Sequence, residues 1–406
     1  MKILQINSVY KNGSTGKIMY DIHNVLTNLN KKSVVCYGRG KKIKEDNVYK
    51  VCGEIYSHFN HFIANISGVP YARFFFSTQK LVNIIKKEKP DIVHIHCLNG
   101  YFVNIYRLIE WLKKNKIKTV LTLHAEFMYT GGCGHSLDCN KWVSKQGCYN
   151  CDKLKTEFHS IFFDRTNYMW KRMIKAFNGF DNDKIIIASV SPWLMKRAKQ
   201  SYALKDFRHV VVMNGLDTSI FHNYDDNETL SLKKKNNLSN EKIILHVTPF
   251  FNDNPNHIKG GYYVIELAKL MINENVKIIV AGPYEKKITV PDNVILLGPI
   301  SDQTELAKYY SMADLTLLTS KKETFSMVTA ESLSCGTPIV GFKAGAPEMI
   351  ALKEYSEFVE YGNCNELCKA CMKMLNKQFD INKIDTYAKK TMVNNYIRLY
   401  KILQDE

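Results

Sequence analysis

The sequence predicts an α/β protein with two doubly wound domains, each built around a parallel sheet. Its 406 residues exceed what one hydrophobic core usually supports, so two domains of ordinary size are expected. Apolar runs of strand length alternate with segments of helical spacing, and this β-α-β rhythm is typical of parallel sheets. There is no uninterrupted apolar run of about eighteen residues and no signal-peptide core, and the eleven cysteines are scattered. We therefore expect reduced thiols in a cytoplasmic protein.

The first domain, expected over residues 1–214, opens with a strand, KILQINSV, a small-residue loop, KNGSTG, and a helix, KIMYDIHNVLTNL. The loop lacks the three glycines of a dinucleotide fingerprint, and the next strand ends at Gly38 and Arg39 without an acid for an adenosine ribose. Both features argue against a nicotinamide enzyme. Gly16 either serves the packing of a tight turn or leaves room for the backbone to approach a ligand.

An aromatic stretch, YARFFFSTQKLVNIIKK, predicts a helix with a basic face. That helix either faces the core or rests on a membrane surface, because Phe74, Phe75 and Phe76 lie between basic residues. A strand, DIVHIH, a helix, YRLIEWLKKN, and a second strand, KTVLTLH, then continue the parallel sheet.

Polar side chains lie at or just beyond the ends of these two strands. They are His96, Asn99 and His124, and the carboxyl ends of strands are where doubly wound sheets gather ligands. We interpret His94 as a core residue, on the opposite face of its strand from His96. The three others are candidates for a binding site.

Four cysteines lie close together in an insert over residues 131–151: Cys133, Cys139, Cys148 and Cys151. Four thiols that end in a Cys-x-x-Cys pair are able to close a tetrahedral zinc site, with His135 as a substitute ligand. The spacing is not that of a standard zinc finger or ribbon, so free thiols or redox pairs are the alternative.

The second domain is expected over residues 215–383, because the strand HVVVM is followed by an NGLD turn and a polar stretch. It continues with a strand, KIILHVTPF, a long polar loop that carries Lys259 and Gly260, and a helix, YYVIELAKLMI. Two further strands, KIIVAG and VILLGPI, precede a helix and a strand. Residues 384–406 predict a terminal helix that packs back on the first domain.

The stretch KKETFSMVTAESLSCGTPIVGFKAGAPEM predicts a loop, a helix that begins near Ser326 and ends at Gly336, a turn and a strand. The amides of Ser326, Met327 and Val328 at the helix N-terminus suit a phosphate. Glu323 and Glu331 are acceptor-only groups that suit the hydroxyls of sugars. Charged residues at such a spacing also form ordinary solvated helix faces. A phosphate between two polyols describes a sugar nucleotide.

This frame of two glutamates, followed by CGTP and APE, resembles the donor site of retaining glycosyltransferase family 4, which has the GT-B architecture of two doubly wound domains facing across a cleft. The resemblance implies that Glu331 holds the ribose, Glu323 the transferred sugar and Lys259 the diphosphate. It also places on the donor side Gly16, Asn214, Gly260 and the backbone at Phe325, Ser326, Met327 and Val328. It implies that His124 contacts the donor sugar. It assigns His96, Asn99 and Glu126 to the acceptor.

Two positions depart from the family pattern. The family has an arginine where this chain has Asn254, so half of the diphosphate clamp is absent or is supplied by His257 or another segment. It also continues with Asp where this chain has Ala125. The resemblance implies a retaining transfer of a hexose-type sugar from a nucleotide-diphosphate donor, UDP-sugar favoured and GDP-sugar possible, to a glycan acceptor on a polyprenyl diphosphate. No cofactor is required for this reaction.

The net charge of +17 lies in the first half of the chain. Residues 1–200 hold 32 Lys and Arg against 14 Asp and Glu, whereas residues 201–406 hold 24 against 25. A basic domain suggests a polyanionic partner such as nucleic acid, an anionic membrane or a phosphorylated acceptor. A basic nucleic-acid-binding protein is therefore one alternative, and a sugar-nucleotide isomerase or a glycan-binding relic on the same architecture is the other. No nucleic-acid module is recognisable. Because an acceptor on a polyprenyl diphosphate is anchored at an anionic membrane surface, we expect a peripheral protein at the inner face of the cytoplasmic membrane.

Overall fold

The structure, a computed structural model, describes residues 1–379 and 384–405 and divides the chain into two compact units. The first unit is Met1–Met213 with Met392–Glu406, and the second is Asn214–Thr391. The boundary expected after residue 383 lies outside the described residues. None of the helices within the described ranges combines the length and apolarity needed to cross a membrane.

The first unit contains a seven-stranded parallel sheet. Its strands are β1 (Lys2–Asn7), β2 (Lys32–Tyr37), β3 (Val48–Lys50), β4 (Ile92–Ile95), β5 (Thr119–Leu123), β6 (Ile185–Ser189) and β7 (Arg208–Val211). The order is β3-β2-β1-β4-β5-β6-β7, so the chain reverses its direction of travel between β1 and β4. Crevices that bind ligands form at such a switch point.

Six helices connect these strands: α1 (Gly13–Asn28), α2 (Glu54–Ser67), α3 (Phe75–Glu88), α4 (Ile105–Lys114), α5 (Thr166–Phe177) and α6 (Pro192–Ala198). Short 3-10 turns cover Lys141–Val143 and Asn182–Lys184. α6 begins as predicted, with Ser191 as its N-cap and Pro192 in its first turn. α1 begins three residues earlier than Gly16, so part of the predicted loop is helical.

The second unit contains a six-stranded parallel sheet: β8 (Lys242–Val247), β9 (Val276–Ala281), β10 (Val294–Gly298), β11 (Leu315–Leu318), β12 (Ile339–Phe342) and β13 (Ser356–Val359). The strand order is β10-β9-β8-β11-β12-β13, so its switch point lies between β8 and β11. The helices are α7 (Asp226–Lys235), α8 (Gly261–Leu270), α9 (Gln303–Met312), α10 (Met327–Ser334), α11 (Pro347–Ile350) and α12 (Cys364–Leu375). A 3-10 turn covers Lys353–Tyr355.

The last helix, α13 (Lys389–Asp405), packs its apolar face on the core of the first unit from Met392 onwards. Val393, Tyr396 and Tyr400 lie in one buried cluster with Ile92 of β4 and Val120 of β5. The first unit is therefore completed by the end of the chain.

Candidate active site

The loops that follow β8 and β11 meet at the switch point of the second unit. Gly260, between β8 and α8, has a φ of 68°, and a Cβ at this position would lie 2.1 Å from the carbonyl oxygen of Thr319, which follows β11. The hydroxyl of Thr319 donates to the carbonyl of Lys259 over 3.1 Å. A side chain at residue 260 would force these loops apart, so the glycine fixes Lys259 beside the end of β11.

Lys259 and Glu323 form an ion pair at this point. The Lys259 Nζ lies 2.6 Å from Glu323 Oε1, and the two side chains are 28% and 17% exposed. A cation and a carboxylate held together and partly sheltered from water are able to meet a ligand that carries both anionic oxygens and hydroxyl groups.

A turn after β12 holds Glu323 in place, and the carboxylate of Glu348 in this turn was not identified from the sequence as a site group. Glu323 donates its amide to the carbonyl of Ala344 (2.9 Å) and accepts from the amide of Ala346 (3.2 Å). The side chain of Glu348 in turn accepts from the amides of Ala344 (3.0 Å) and Gly345 (2.9 Å). The turn that contains the APE residues of the motif therefore holds the backbone of Glu323 in position.

Helix α10 begins four residues after Glu323, with Ser326 as the N-cap, as predicted. Ser326 has a φ of 82°, which non-glycine residues rarely adopt, and its hydroxyl accepts from the amide of Thr329. The amides of Met327 and Val328 are the donors that the helix itself does not use. α10 ends before Gly336, whose φ of 80° is the left-handed conformation predicted for it.

Glu331, in the second turn of α10, accepts a hydrogen bond from a tyrosine that sequence reasoning missed. The Tyr310 hydroxyl in α9 lies 3.0 Å from Glu331 Oε2 and is fully buried. Burial, and then the charge of Glu331, raise the pKa of Tyr310 well above its usual value, so the hydroxyl stays protonated and donates. One carboxylate oxygen is thereby oriented. Nothing in the sequence ties residue 310 to residue 331.

The position of the missing arginine carries no cation. Asn254 is exposed and its side chain accepts from the amide of Asn256, which closes a turn. His257 lies nearby in the same loop, and its Nδ1 is buried without a hydrogen-bond partner among the described residues. Lys259 is therefore the cation of this loop that pairs with Glu323.

Two histidines and a glutamine form a hydrogen-bonded chain at the switch point of the first unit. His96 Nε2 lies 3.2 Å from Gln5 Oε1 in β1, and His96 Nδ1 lies 3.3 Å from His124 Nε2. When Gln5 Oε1 accepts from the Nε2–H of His96, the Nδ1 of His96 carries no proton and accepts from the Nε2–H of His124. The unprotonated nitrogen of the His124 ring is then Nδ1. Burial lowers the pKa of His124 to about 4, and burial lowers that of His96 well below its usual value. Both rings are neutral at pH 7.

His94 is a core residue, as expected, but the face predicted for it was wrong. It is fully buried and bonds to Tyr400 (2.7 Å) and Thr122 (2.8 Å). Its ring centroid lies only 3.9 Å from that of His96. Positions two apart in a strand share a face, so His94 and His96 point to the same side.

The remaining predicted residues are placed as follows. Gly16 is buried in α1, and a Cβ there would lie 3.1 Å from the Val9 side chain, a close contact within its own loop. Asn99 is half-buried in the loop after β4. Asn214, the first residue of the second unit, is buried, and its Oδ1 has no hydrogen-bond partner in the described part of the chain. Their roles in binding stay predictions.

Glu126 is fully buried and ties the cysteine insert to α6. Its Oε1 lies 2.5 Å from Arg197 Nε, and its Oε2 accepts from the amide of Ser136 over 2.6 Å. The Tyr129 hydroxyl also donates to it. The Glu126 carboxylate is therefore bonded within the protein, and its predicted place on the side of the glycan acceptor stays a prediction.

The four insert cysteines line one small cavity together with Trp142 and Phe158. All four are free thiols, and burial raises the pKa of Cys148 to about 12 and that of Cys133 still further. In the described residues no group of three or more His, Cys, Asp or Glu is arranged to hold a metal ion. The thiols gather as the zinc hypothesis requires, but they do not form a ligand set in this arrangement. The zinc site stays a prediction.

Two doubly wound parallel-sheet units, with a lysine, two glutamates and a helix N-terminus at the second switch point, define a glycosyltransferase of the GT-B architecture. A family model described as "Glycosyltransferase Family 4" matches residues 17–220, half of the chain, and one described as "Glycosyl transferases group 1" matches residues 241–377. The chain belongs to glycosyltransferase family 4. The predicted fold class and the resemblance are both confirmed.

Among its relatives is the putative colanic acid biosynthesis glycosyl transferase WcaC of Escherichia coli K12, 20% identical over 99% of this chain and 100% of that protein. N-acetyl-alpha-D-glucosaminyl L-malate synthase of Bacillus anthracis is 24% identical over 73% of this chain and 68% of that one. A Rickettsia africae glycosyltransferase has the same fold, with a TM-score of 0.63, 16% identity and coverage of 100% and 99% of the two chains. Anabaena Alr3699/HepE, solved with UDP and glucose, also has this fold, with a TM-score of 0.62, 14% identity and coverage of 99% of each chain.

Proposed function

We propose that this protein is a retaining glycosyltransferase that moves a hexose-type sugar from a nucleotide-diphosphate donor to a glycan acceptor on a polyprenyl diphosphate. The observation that carries the proposal is the Lys259–Glu323 pair beside the N-terminus of α10. A UDP-sugar is the preferred donor and a GDP-sugar the second choice. The complex of Anabaena HepE with UDP and glucose supports the first, and the naming of the E. coli relative for colanic acid supports a surface polysaccharide as product.

The second unit binds the donor in this proposal. The diphosphate lies against the Lys259 ammonium and the amides of Met327 and Val328, which offset the charge that develops as the sugar leaves. Glu323 accepts from hydroxyls of the sugar, and Glu331, oriented by Tyr310, accepts from the ribose. Fixed donors in a partly sheltered site stabilise the leaving group without reorganisation, which is the main contribution that the protein makes.

The transfer step needs no nucleophile from the protein. The bond from the anomeric carbon to the diphosphate oxygen breaks, and a bond from that carbon to the acceptor oxygen forms on the same face. The hydroxyl proton of the acceptor passes to the departing phosphate oxygen, so atoms and charges balance without a divalent metal. In the first unit, the family resemblance supports a contact of His124 with the donor sugar and a position of His96 and Asn99 on the acceptor side.

Incubation of the purified protein with labelled UDP- and GDP-sugars tests this proposal. We expect slow hydrolysis of one donor without acceptor and transfer when a lipid-linked glycan is added. Lys259→Met should lose both reactions, whereas Lys269→Met, which changes an exposed lysine of α8 paired with Glu266, should keep them. Conversion of one nucleotide sugar into another without transfer would favour an isomerase. No reaction with any nucleotide sugar, together with tight nucleic-acid binding, would overturn the proposal.

The excess charge of the first 200 residues supports a place for the protein at an anionic membrane surface, where a lipid-linked acceptor is anchored. We accordingly propose a peripheral location at the inner face of the cytoplasmic membrane.

A further inference from the structure

Helix α2 buries polar and small side chains and exposes large apolar ones. The side chains that it buries are Ser57, Asn60 and Ala64, whereas Ile55, Phe59 and Phe62 are 88%, 61% and 58% exposed. The exposed residues follow one another at intervals of four and three, so they form a single stripe along the helix. A helix at the surface of a globular protein normally turns such a stripe inward, because each exposed aromatic side chain forgoes burial of its apolar surface.

Contacts with neighbouring segments of the first unit hold α2 in this orientation. The Ser57 hydroxyl donates to the carbonyl of Tyr101, which lies outside the helix, over 2.7 Å. Gly68 ends the helix in the left-handed conformation, and a Cβ there would lie 2.3 Å from the carbonyl oxygen of Phe163. The polar side of α2 is therefore locked against the first unit, and its apolar side faces solvent.

Two neighbouring segments extend the stripe. The ring of Phe76, at the start of α3, lies 6.1 Å from that of Tyr56 in α2, and Phe75 lies beside Phe76. The amide of Ile161 donates to the carbonyl of Asn65 in α2 over 2.8 Å. We call the combined surface the aromatic face, and its exposed members are Ile55, Phe59, Phe62, Phe75, Phe76, Ile161, Phe162 and Phe163. Phe74, which the sequence grouped with Phe75 and Phe76, is buried and does not belong to it.

The surroundings of the aromatic face are basic. No acidic residue occurs in the sequence between Glu54 and Glu88, and the exposed cations of this region are Arg73, Lys80, Lys86, Lys87 and, beyond Phe163, Arg165. The three acids at its margins already have partners. Glu54 is bound by Arg39 and Lys50, Glu88 by Lys2 and Tyr49, and Asp164 accepts from the amides of Cys151 and Thr166.

We propose that the aromatic face docks on an anionic lipid bilayer, with α2 lying in the plane of the interface and its stripe among the headgroups. Large apolar residues flanked by lysine and arginine are the chemistry that such an interface binds, through apolar burial and attraction to anionic lipids. A second copy fits less well, because a symmetric interface would bring this basic rim against itself. The inference deepens the membrane location proposed above, but it does not depend on which sugar is transferred.

Vesicle sedimentation tests the proposal on the full chain, with phosphatidylcholine vesicles that contain or lack phosphatidylglycerol. Phe59→Ser/Phe62→Ser should weaken binding to the anionic vesicles about tenfold or more, since two partly exposed aromatic rings no longer insert. Lys80→Gln/Lys87→Gln should weaken it less and reduce its sensitivity to salt. Leu29→Ser, which changes a similarly exposed apolar residue at the end of α1, is the matched control and should bind like the parent.

The thermal shift produced by a nucleoside diphosphate reports the donor site separately and should be the same in the parent and in all these variants. Equal recovery of the parent with neutral and anionic vesicles would overturn the proposal, as would unchanged vesicle binding by Phe59→Ser/Phe62→Ser. A dimer in solution that this double variant dissociates, with no vesicle binding by the parent, would also overturn it and make the aromatic face an interface between copies.

Discussion

Glu348→Gln tests whether the turn after β12 positions Glu323, the carboxylate proposed to bind the sugar. In the parent, the Glu348 carboxylate accepts from the amides of Ala344 and Gly345, and Ala344 in turn accepts from the amide of Glu323. Glutamine keeps one acceptor oxygen but presents an NH₂ group to an amide that is itself a donor. Hydrogen bonds to a charged acceptor contribute about 1.5–3 kcal/mol, so we expect a loss of about 2 kcal/mol in the positioning of Glu323.

The loss should appear in the sugar-dependent step alone. A change of about 2 kcal/mol corresponds to a decrease of about 30-fold in kcat/KM for the nucleotide sugar. Binding of the free nucleoside diphosphate, measured by calorimetry, should not weaken, because this ligand lacks the transferred sugar whose hydroxyls Glu323 is proposed to bind. Glu360→Gln, which removes an exposed carboxylate that pairs with Lys343, is the control and should change neither quantity. A parent-like kcat/KM in Glu348→Gln would refute the positioning argument, and equal losses of turnover and diphosphate binding would show a general disruption of the site.

Three further outcomes are expected. Glu331→Ala should abolish binding of both nucleotide sugar and nucleoside diphosphate, whereas Glu323→Ala should keep binding of the nucleoside diphosphate. Calorimetry distinguishes these two results. Parent-like binding by Glu331→Ala would show that this motif is misassigned. The zinc hypothesis predicts about one equivalent of metal by elemental analysis and a loss of metal and stability in Cys148→Ser, and it fails if the protein is metal-free, stable and has four titratable thiols in its insert. Burial lowers the pKa of His124 and His246 to about 4 from 6.5, so the unfolded chain takes up protons that the folded chain does not. The free energy of unfolding should therefore be highest above pH 6.5 and fall as the pH drops towards 4, and urea midpoints that do not change between pH 7 and pH 5 would contradict this.

The helix that carries the donor motif could be predicted closely because its limits are set by local chemistry. Ser326 caps its N-terminus through its own side chain, and Gly336 adopts the left-handed conformation after its end. Such signals act over a few residues and are legible in one sequence. The roles of Tyr310 and Glu348 could not be predicted, because each depends on a contact between loops or helices that only the packed sheet brings together.

Helix α2 was missed for a different reason. Sequence reasoning assumes that large apolar residues turn inward, so the regular apolar stripe of α2 would be assigned to the core, whereas the structure buries its serine, asparagine and alanine instead. The error over His94 and His96 was one of applying strand periodicity, since residues two apart share a face.

The Lys259–Glu323 ion pair has a consequence for how the proposed donor enters the site. Without donor, each charge is neutralised by the other, and neither is left partly buried without a partner, which would cost free energy. An incoming nucleotide sugar offers both replacements at once, since diphosphate oxygens accept from the lysine and sugar hydroxyls donate to the glutamate. A nucleoside diphosphate satisfies only the lysine and leaves Glu323 to compete for the same ammonium. The pair therefore favours the intact donor over the product that remains after transfer, and this difference supports release of the nucleotide once the sugar has gone.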